Sequence, residues 1–240
     1  DIVANPSADQ IYRLTGGNGE EGVLKLGGSY NDIYGRAFMR DSQGRIIVNA
    51  STGIPDFVDY KYLGNPNPKF IAGWKNSFEW KNMTVDFLID GKFGGKVISI
   101  TEAYADQLGV SERTGKARDD GGTIYIANAV DENGNAWKGA TDVNEYYKKI
   151  SGKTPVGEPY MYDATSVRLR ELSVVYSFPF KTSAIKNLKL GIIGNNLFFF
   201  HLKAPFDPEQ VAGVNPGGVG VDVFGLPAYR SLGFALFATF

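Results

Sequence analysis

The sequence predicts an all-β chain, a set of strands from a membrane β-barrel joined by alternately short and long connections. Three observations predict it. Several segments alternate between an apolar and a small or polar side chain, the period of two that an extended chain imposes. The connections between them are by turns short (81–82 and 179–187) and long (94–163 and 201–228). Aromatic residues stand at both ends of the segments, in a composition of 16 Phe, 13 Tyr and 3 Trp beside 30 Gly that suits strands and turns.

Residues 1–28, with the glycine-rich TGGNGEEG, carry no clear period and read as a loop or ragged edge. NDIYGRAFMRDSQGRIIVN reads as a hairpin, with extended runs Ile33–Arg40 and Arg45–Asn49 about a DSQG turn that Gly44 closes. STGIPDFVDYKYLGNPNP then interrupts the pattern, and its two Asn-Pro pairs force an extended, non-helical entry to the next segment. Residues 1–67 therefore read as an extracellular loop and hairpin region with a possible barrel strand. Residues 68–240 read as barrel strands at about 68–80, 82–93, 164–178, 187–200 and 229–240.

In the first of these, Phe70, Ala72, Trp74, Phe78 and Trp80 share a face that only Asn76 interrupts. The second sets Met83, Val85, Phe87 and Ile89 against Thr84, Asp86 and Asp90. The third places Arg170 at the head of the face of Leu172, Val174, Tyr176 and Phe178, where near the outer rim it is expected to snorkel. In the fourth, Leu188, Leu190, Ile192 and Phe198 share a face. The last, SLGFALFATF, has Leu232, Phe234, Leu236, Ala238 and Phe240 on one wholly apolar side. Between the second and third, helices are expected at ISITEAYADQLG, ended by Gly109, and at TDVNEYYKKI, capped by Thr141 with Glu145 and Lys149 four apart.

Two environments satisfy apolar-faced strands: the core of a soluble sandwich, and lipid. Phe70 and Trp80 are ten residues apart, roughly 33 Å of strand at ~3.3 Å per residue. A tilt of ~40° reduces that to about 25 Å of height, the apolar band of an outer-membrane barrel. With the short connections periplasmic, the C-terminus is periplasmic and the long loops are extracellular. Five such strands do not close a barrel, because an open edge in lipid leaves backbone groups unpaired. Further strands, from an N-terminal part or a second chain, are expected to complete it.

Composition narrows the chemistry. Lys and Arg number 25 against 26 Asp and Glu, without a basic stripe, which removes nucleic acid as a partner. No cysteine and a single histidine, His201, remove thiol chemistry and most metal and triad sites, so neither cofactor nor metal is expected and the protein does not read as an enzyme. DENGN (131–135) has part of the calcium-loop spacing but lacks its later glycine and distal Glu, so it reads as an Asx-rich turn. Asp207 and Glu209 of APFDPE lie between prolines with no base or nucleophile nearby and read as loop-shaping.

IYGRAFMRDSQGRIIV, YLGNPNPKFIAGWKNSF, FLIDGKFGGKVIS, GVSERTGKARD, YMYDATSVRLRELSVVYSFP, GNNLFFF, APFDPE and LPAYRSLGFALFATF, in this order and spacing, resemble the C-terminal part of the SusC/RagA family of TonB-dependent outer-membrane transporters. The resemblance covers roughly residues 29–240. It implies the C-terminal strands of a 22-stranded barrel plugged by an N-terminal domain, a SusD-like surface lipoprotein as lid, drive from the TonB complex, and import of glycans or oligopeptides. Neither a secretory signal, a TonB box nor a plug is recognisable in these residues. On this reading Asp86 and Asp90 face the lumen, and Tyr104, Tyr125, Trp137, Tyr146 and Tyr147 of the long loop contact substrate or lid. Phe240 is the terminal aromatic read by the assembly machinery. The alternatives are a barrel piece with a structural or adhesive role, and a soluble all-β glycan-binding module.

Overall fold

The computed structural model describes residues 11–16, 20–179, 185–210, 218–226 and 228–240. They belong to two compact units, each gathered from separate stretches of chain. Asp1–Asn67, Lys96–Tyr162 and Val211–Gly225 make the first, and Pro68–Gly95, Asp163–Gln210 and Leu226–Phe240 the second. Parts of the sequence reading for 1–28, the 179–187 connection and the 201–228 loop fall outside the described residues.

In chain order the strands up to the second hairpin are β1 Ile11–Gly16, β2 Glu20–Lys25, β3 Asp32–Phe38, β4 Ile46–Ile47, β5 Phe57–Gly64, β6 Phe70–Trp80 and β7 Met83–Phe93. The long loop holds β8 Lys96–Ser99, α1 Ile100–Gln107, α2 Glu112–Asp119, β9 Thr123–Ile124, β10 Ala129–Val130, β11 Thr141–Asp142, α3 Val143–Ile150 and β12 Met161–Asp163. The chain then runs through β13 Ser166–Phe178, β14 Asn187–Leu202, β15 Val221–Asp222 and β16 Ser231–Thr239.

The second unit is a five-stranded sheet in the order β16-β14-β13-β7-β6, each pair antiparallel. The register lines up the apolar alternation of every strand. Phe87 stands beside Leu172, Gly194 and Leu232, and Val85 beside Val174, Ile192 and Phe234. The row ends with Met83, Tyr176, Leu190 and Leu236. These side chains stay uncovered: Trp74, Phe78, Trp80, Ile192 and Leu236 are all more than half exposed, and Phe234 is 91% exposed. An apolar surface of this extent has no place in water. It is the lipid-facing band of a barrel wall, with β6 and β16 as the edges of the segment.

The first unit has its own sheet, β1-β2-β3-β5, and two small cores. Ile98, Ile100, Ala103, Tyr160 and Val221 form one, and Phe38, Ile150 and Val156 the other. The parallel pairing of β8 with β15 and the Ser99–Asp222 hydrogen bond (2.7 Å) tie residues 221–222 to the start of α1.

Several local expectations are corrected here. Residues 11–25 are not wholly loop: β1 and β2 pair with each other, and Val23 is fully buried. Residues 57–64 do not break the pattern but form β5 against β3. Its period is hidden because Tyr60 takes φ +63° and the pairing skips a residue there. The DSQG hairpin exists, with Gly44 N–H donating to Asp41 O and Gly44 at φ +79°, but its second arm is only the two-residue β4. The loop 94–163 contains a third helix, α2, which Ser111 caps by accepting from Thr114 N–H. The other two helices lie where the spacing puts them, although α3 is capped by Asp142, accepting from Asn144 and Glu145, rather than by Thr141. Lys148, not Lys149, pairs with Glu145.

Candidate functional site

The opposite face of the five-stranded sheet is polar, and its chemistry gathers at the end of β7, β13 and β14 that carries Lys92, Arg168 and Phe199. The decisive local feature is a bulge. Leu169 pairs with Ile89 and Glu171 with Leu88, so Arg170 is an extra residue with no partner in the ladder. An unpaired residue reverses the parity of the strand beyond it. Below the bulge the even-numbered residues of β13 lie on the apolar side; above it Leu169 does, opposite Ile89 and covered by its neighbours, and Arg168 stands opposite Asp90 on the polar side. Arg170 therefore does not snorkel from the apolar face, as simple alternation predicts. Across from it β14 also carries an additional residue, with Asn196 at φ +50°.

Arg170 grips Asp90 with two bonds, Nε to Oδ1 at 3.1 Å and Nη2 to Oδ2 at 2.6 Å. The same guanidinium reaches Glu209 at 3.0 and 3.1 Å. Arg168 makes a second fork, to Asp207 at 2.8 and 3.2 Å, with a further ion pair to Glu209 at 3.0 Å, and its guanidinium lies 4.4 Å from the centre of the Phe199 ring. Lys92 Nζ reaches Glu209 at 3.1 Å. Lys92, Arg168 and Arg170 thus face Asp90, Asp207 and Glu209, and the formal charge of the clasp cancels.

The Arg168 and Asp207 side chains are only 4% and 8% exposed, a burial that ions tolerate when every group is paired. Burial pushes the Glu209 carboxyl up, but the hydrogen bonds from Arg170 and Lys92 and the nearby Arg168 charge outweigh it and hold the group at about 2. Asp207 also accepts from Glu209 N–H, and its carbonyl from Gln210 N–H, which folds the DPEQ turn back on itself. APFDPE is thus a strap whose two acids anchor it to the polar face of the sheet.

Further along that face, Asp86 accepts from Ser173 Oγ at 3.2 Å and borders a depression of about 540 Å3 with Lys75, Glu171 and Asn195. Asp90 does not face this depression as a free carboxylate, because Arg170 occupies it. Phe240 is exposed, and its carbonyl accepts from Lys186 Nζ at 2.9 Å.

The loop aromatics lie in the first unit and separate into two kinds. Tyr104 packs beside the Ile98 core and tilts against Phe224 at 5.5 Å. Tyr146 and Tyr147 meet edge to face at 5.2 Å against the second core, and burial pushes the Tyr146 hydroxyl up to about 12. The Trp137 ring covers Gly53, at φ +70°, where a Cβ would come 3.0 Å from it. Tyr125 alone of these five is open to water, at 73% exposure.

Beneath α1 and α2 lies a buried ionic knot that sequence reasoning did not single out. Asp106 accepts from Ser111 Oγ (2.6 Å) and Tyr160 Oη (2.8 Å) and pairs with Arg113. The Arg113 guanidinium also stacks 4.7 Å from the Tyr160 ring centre. Burial, and then the Asp106 charge, raise the Tyr160 hydroxyl well above the ordinary phenol range. The only signal in the sequence was the S-E-R-T start of α2.

Asp131 accepts from Asn133 N–H and Asn135 N–H at 2.9 and 2.8 Å, an Asx turn closed by Gly134 at φ +83°. Among the described residues no three His, Asp or Glu side chains gather as metal ligands.

No protein-family model matches the chain. A curated protein of Formosa agariphila, TonB-dependent receptor P3, is 27% identical over 198 residues, which is 81% of this chain and 17% of that protein. Among solved structures the RagAB peptide transporter superposes with a TM-score of 0.56 at 15% identity, covering 94% of this chain and 24% of that one. The RagAB peptide importer in its closed-closed and open-open states gives TM-scores of 0.52 and 0.51 at 13% and 14% identity, with the same coverage. The chain therefore spans 17% to 24% of the length of these relatives, which are described as a receptor and as transporters. Strand order and lipid-facing register agree with the fold of these relatives: the chain is similar to a segment of the barrel of TonB-dependent receptors.

Proposed function

We propose that this chain supplies part of the wall and the extracellular loops of an outer-membrane importer. The observation that carries the reading is the five-stranded sheet with one continuous apolar face and one polar, charge-balanced face, the division a wall between lipid and an aqueous lumen requires. Lys75, Asp86, Glu171 and Ser173 line the lumen side, the short connections are periplasmic, and the loop unit is extracellular. The remaining barrel strands and plug complete the pore, TonB drives it through the plug, and a SusD-like lipoprotein closes over the loop unit. The cargo is an oligopeptide or a glycan. Tyr125 is the most exposed of the loop aromatics and the best placed to meet cargo or lid in the open, since Tyr104, Trp137 and Tyr146 are engaged in packing, while Tyr147 packs against the second core and also borders a pocket.

Deletion of the encoding gene, followed by growth on oligopeptides or on glycans as sole source and by outer-membrane fractionation, tests the reading. Loss of growth on one class, restored by the gene, is expected. Unchanged growth on both with impaired surface attachment would assign the barrel a structural role instead, and recovery of the protein in the aqueous fraction would overturn the membrane placement.

A further inference from the structure

The first unit contains a pocket of about 330 Å3 whose walls come from three helices. Asp106, Gln107, Leu108 and Gly109 at the end of α1 form one side, Thr114 and Arg118 of α2 the second, and Val143, Asn144, Tyr147 and Lys148 of α3 the third. This is the lower end of the size range of small-molecule sites, enough for one charged group and the residue or sugar ring that bears it.

We infer that this pocket is a carboxylate subsite for the transported ligand, with Arg118 as the principal contact and Lys148 as the second cation. The inference rests on the import reading above and specifies the chemistry of what is imported. The Arg118 guanidinium makes no ion pair or hydrogen bond among the described residues, unlike Arg36, Arg40, Arg45, Arg113, Arg168 and Arg170. It lies over Gly109, where φ is +70° and a Cβ would come 2.9 Å from Nη1, so glycine there both ends α1 and makes room for the guanidinium.

The carboxylate already in the wall does not oppose an incoming one. Asp106 is almost wholly buried and its charge is met by Arg113, Tyr160 and Ser111. Lys148 shares Glu145 at 3.2 Å, but both side chains are more than half exposed, and an exposed pair of this kind is weak enough to exchange partners. On α2, Glu112 is taken up by Lys116 at 2.6 Å, and Asp119 and Asp120, past Arg118, do not line the pocket. The remaining lining suits an organic acid rather than a bare inorganic anion: the Gln107 and Asn144 amides offer neutral hydrogen bonds and the Tyr147 ring an apolar wall. A planar carboxylate matches the guanidinium fork with two parallel bonds.

The test uses the whole transporter in detergent and two matched pairs of probes. One pair is a tripeptide with a free C-terminal carboxylate and its C-terminal amide; the other is a trigalacturonate and its methyl ester. Calorimetric or fluorescence titration is expected to show one acid, from the peptide or from the sugar, binding about tenfold or more tighter than its neutral partner. Arg118→Gln should erase that difference while Arg118→Lys keeps part of it. Equal binding of acid and neutral forms in both pairs, or an unchanged preference in Arg118→Gln, overturns the assignment. Heat-modifiable mobility of the variant confirms that its barrel is folded, and uptake of the neutral probes reports separately on the import reading.

Discussion

Glu209→Gln removes the charge on which Lys92, Arg168 and Arg170 converge while keeping the shape of the side chain. A carboxyl held at about 2 instead of its ordinary 4.5 has its charged form favoured by about 3 kcal/mol. The substitution should forfeit that amount locally, because the sheet on either side has its own ladder to hold it. The Glu209 and Gln210 amides, which donate to Asp207, are the reporters.

Hydrogen exchange read by mass spectrometry on the whole barrel in detergent should show their protection falling about 100-fold, with β7 and β13 unchanged. The sign of the pH dependence follows from the lowered value. The contribution is complete above 4.5, declines as pH falls and is lost near 2. After correction for intrinsic exchange, wild type should therefore lose protection across that window and Glu209→Gln should not. Equal protection of the strap in the two proteins at neutral pH would refute the clasp.

Three further outcomes concern the wall and the knot. Arg170 is the inserted residue, so deleting it leaves Leu169 and Glu171 adjacent and still opposite Ile89 and Leu88, and heat-modifiable barrel should survive. Inserting an alanine between Val174 and Val175, where the ladder is regular, should instead swing the strand beyond it to the wrong faces and abolish it; equal behaviour of the two sinks the parity argument. Phe234→Arg sets a charge in the apolar band and should cost about 2–4 kcal/mol in urea unfolding from lipid, while Ala235→Arg on the other face should cost far less. Tyr160→Phe strips one donor from buried Asp106 and should lower the exchange protection of α1 by about 1–3 kcal/mol; an unchanged α1 would mean that Arg113 and Ser111 suffice.

The wall was legible in the sequence because lipid on one side and water on the other leave a period-two trace in every strand, as in SLGFALFATF and MTVDFLIDG. Strand bounds and partners follow from that trace and from the connection lengths. What it concealed were the places where a residue is inserted. Arg170 looks apolar-facing to any alternation, and Tyr60 hides β5 in the same way, because the parity change is decided by the neighbouring strand rather than locally. The clasp shared this fate: Asp207 and Glu209 were readable as loop-shaping acids, but Arg168, Arg170 and Lys92 lie in distant segments that only the register brings to them. The loop unit was least legible, since α2 has almost no apolar face and its stability comes from the Ser111 cap and buried Thr114. Four of the five loop aromatics pack within the loop unit, and their spacing did not foretell it, because a ring suits a small core as well as a ligand.

The pairing of β8 with β15 joins residues 98–99 to 221–222, and Phe224 N–H reaches back to Thr101 Oγ1 at 2.6 Å. Closing so long an interval is entropically late, and everything between these residues, including β13 and β14, must be made before it can happen. The core beneath α1 is therefore incomplete until the chain has passed β14 and reached Val221, and a chain truncated before Val221 leaves α1 without the strand that secures it. One short parallel pairing thus makes the start of the long loop depend on residues more than a hundred positions further along the chain.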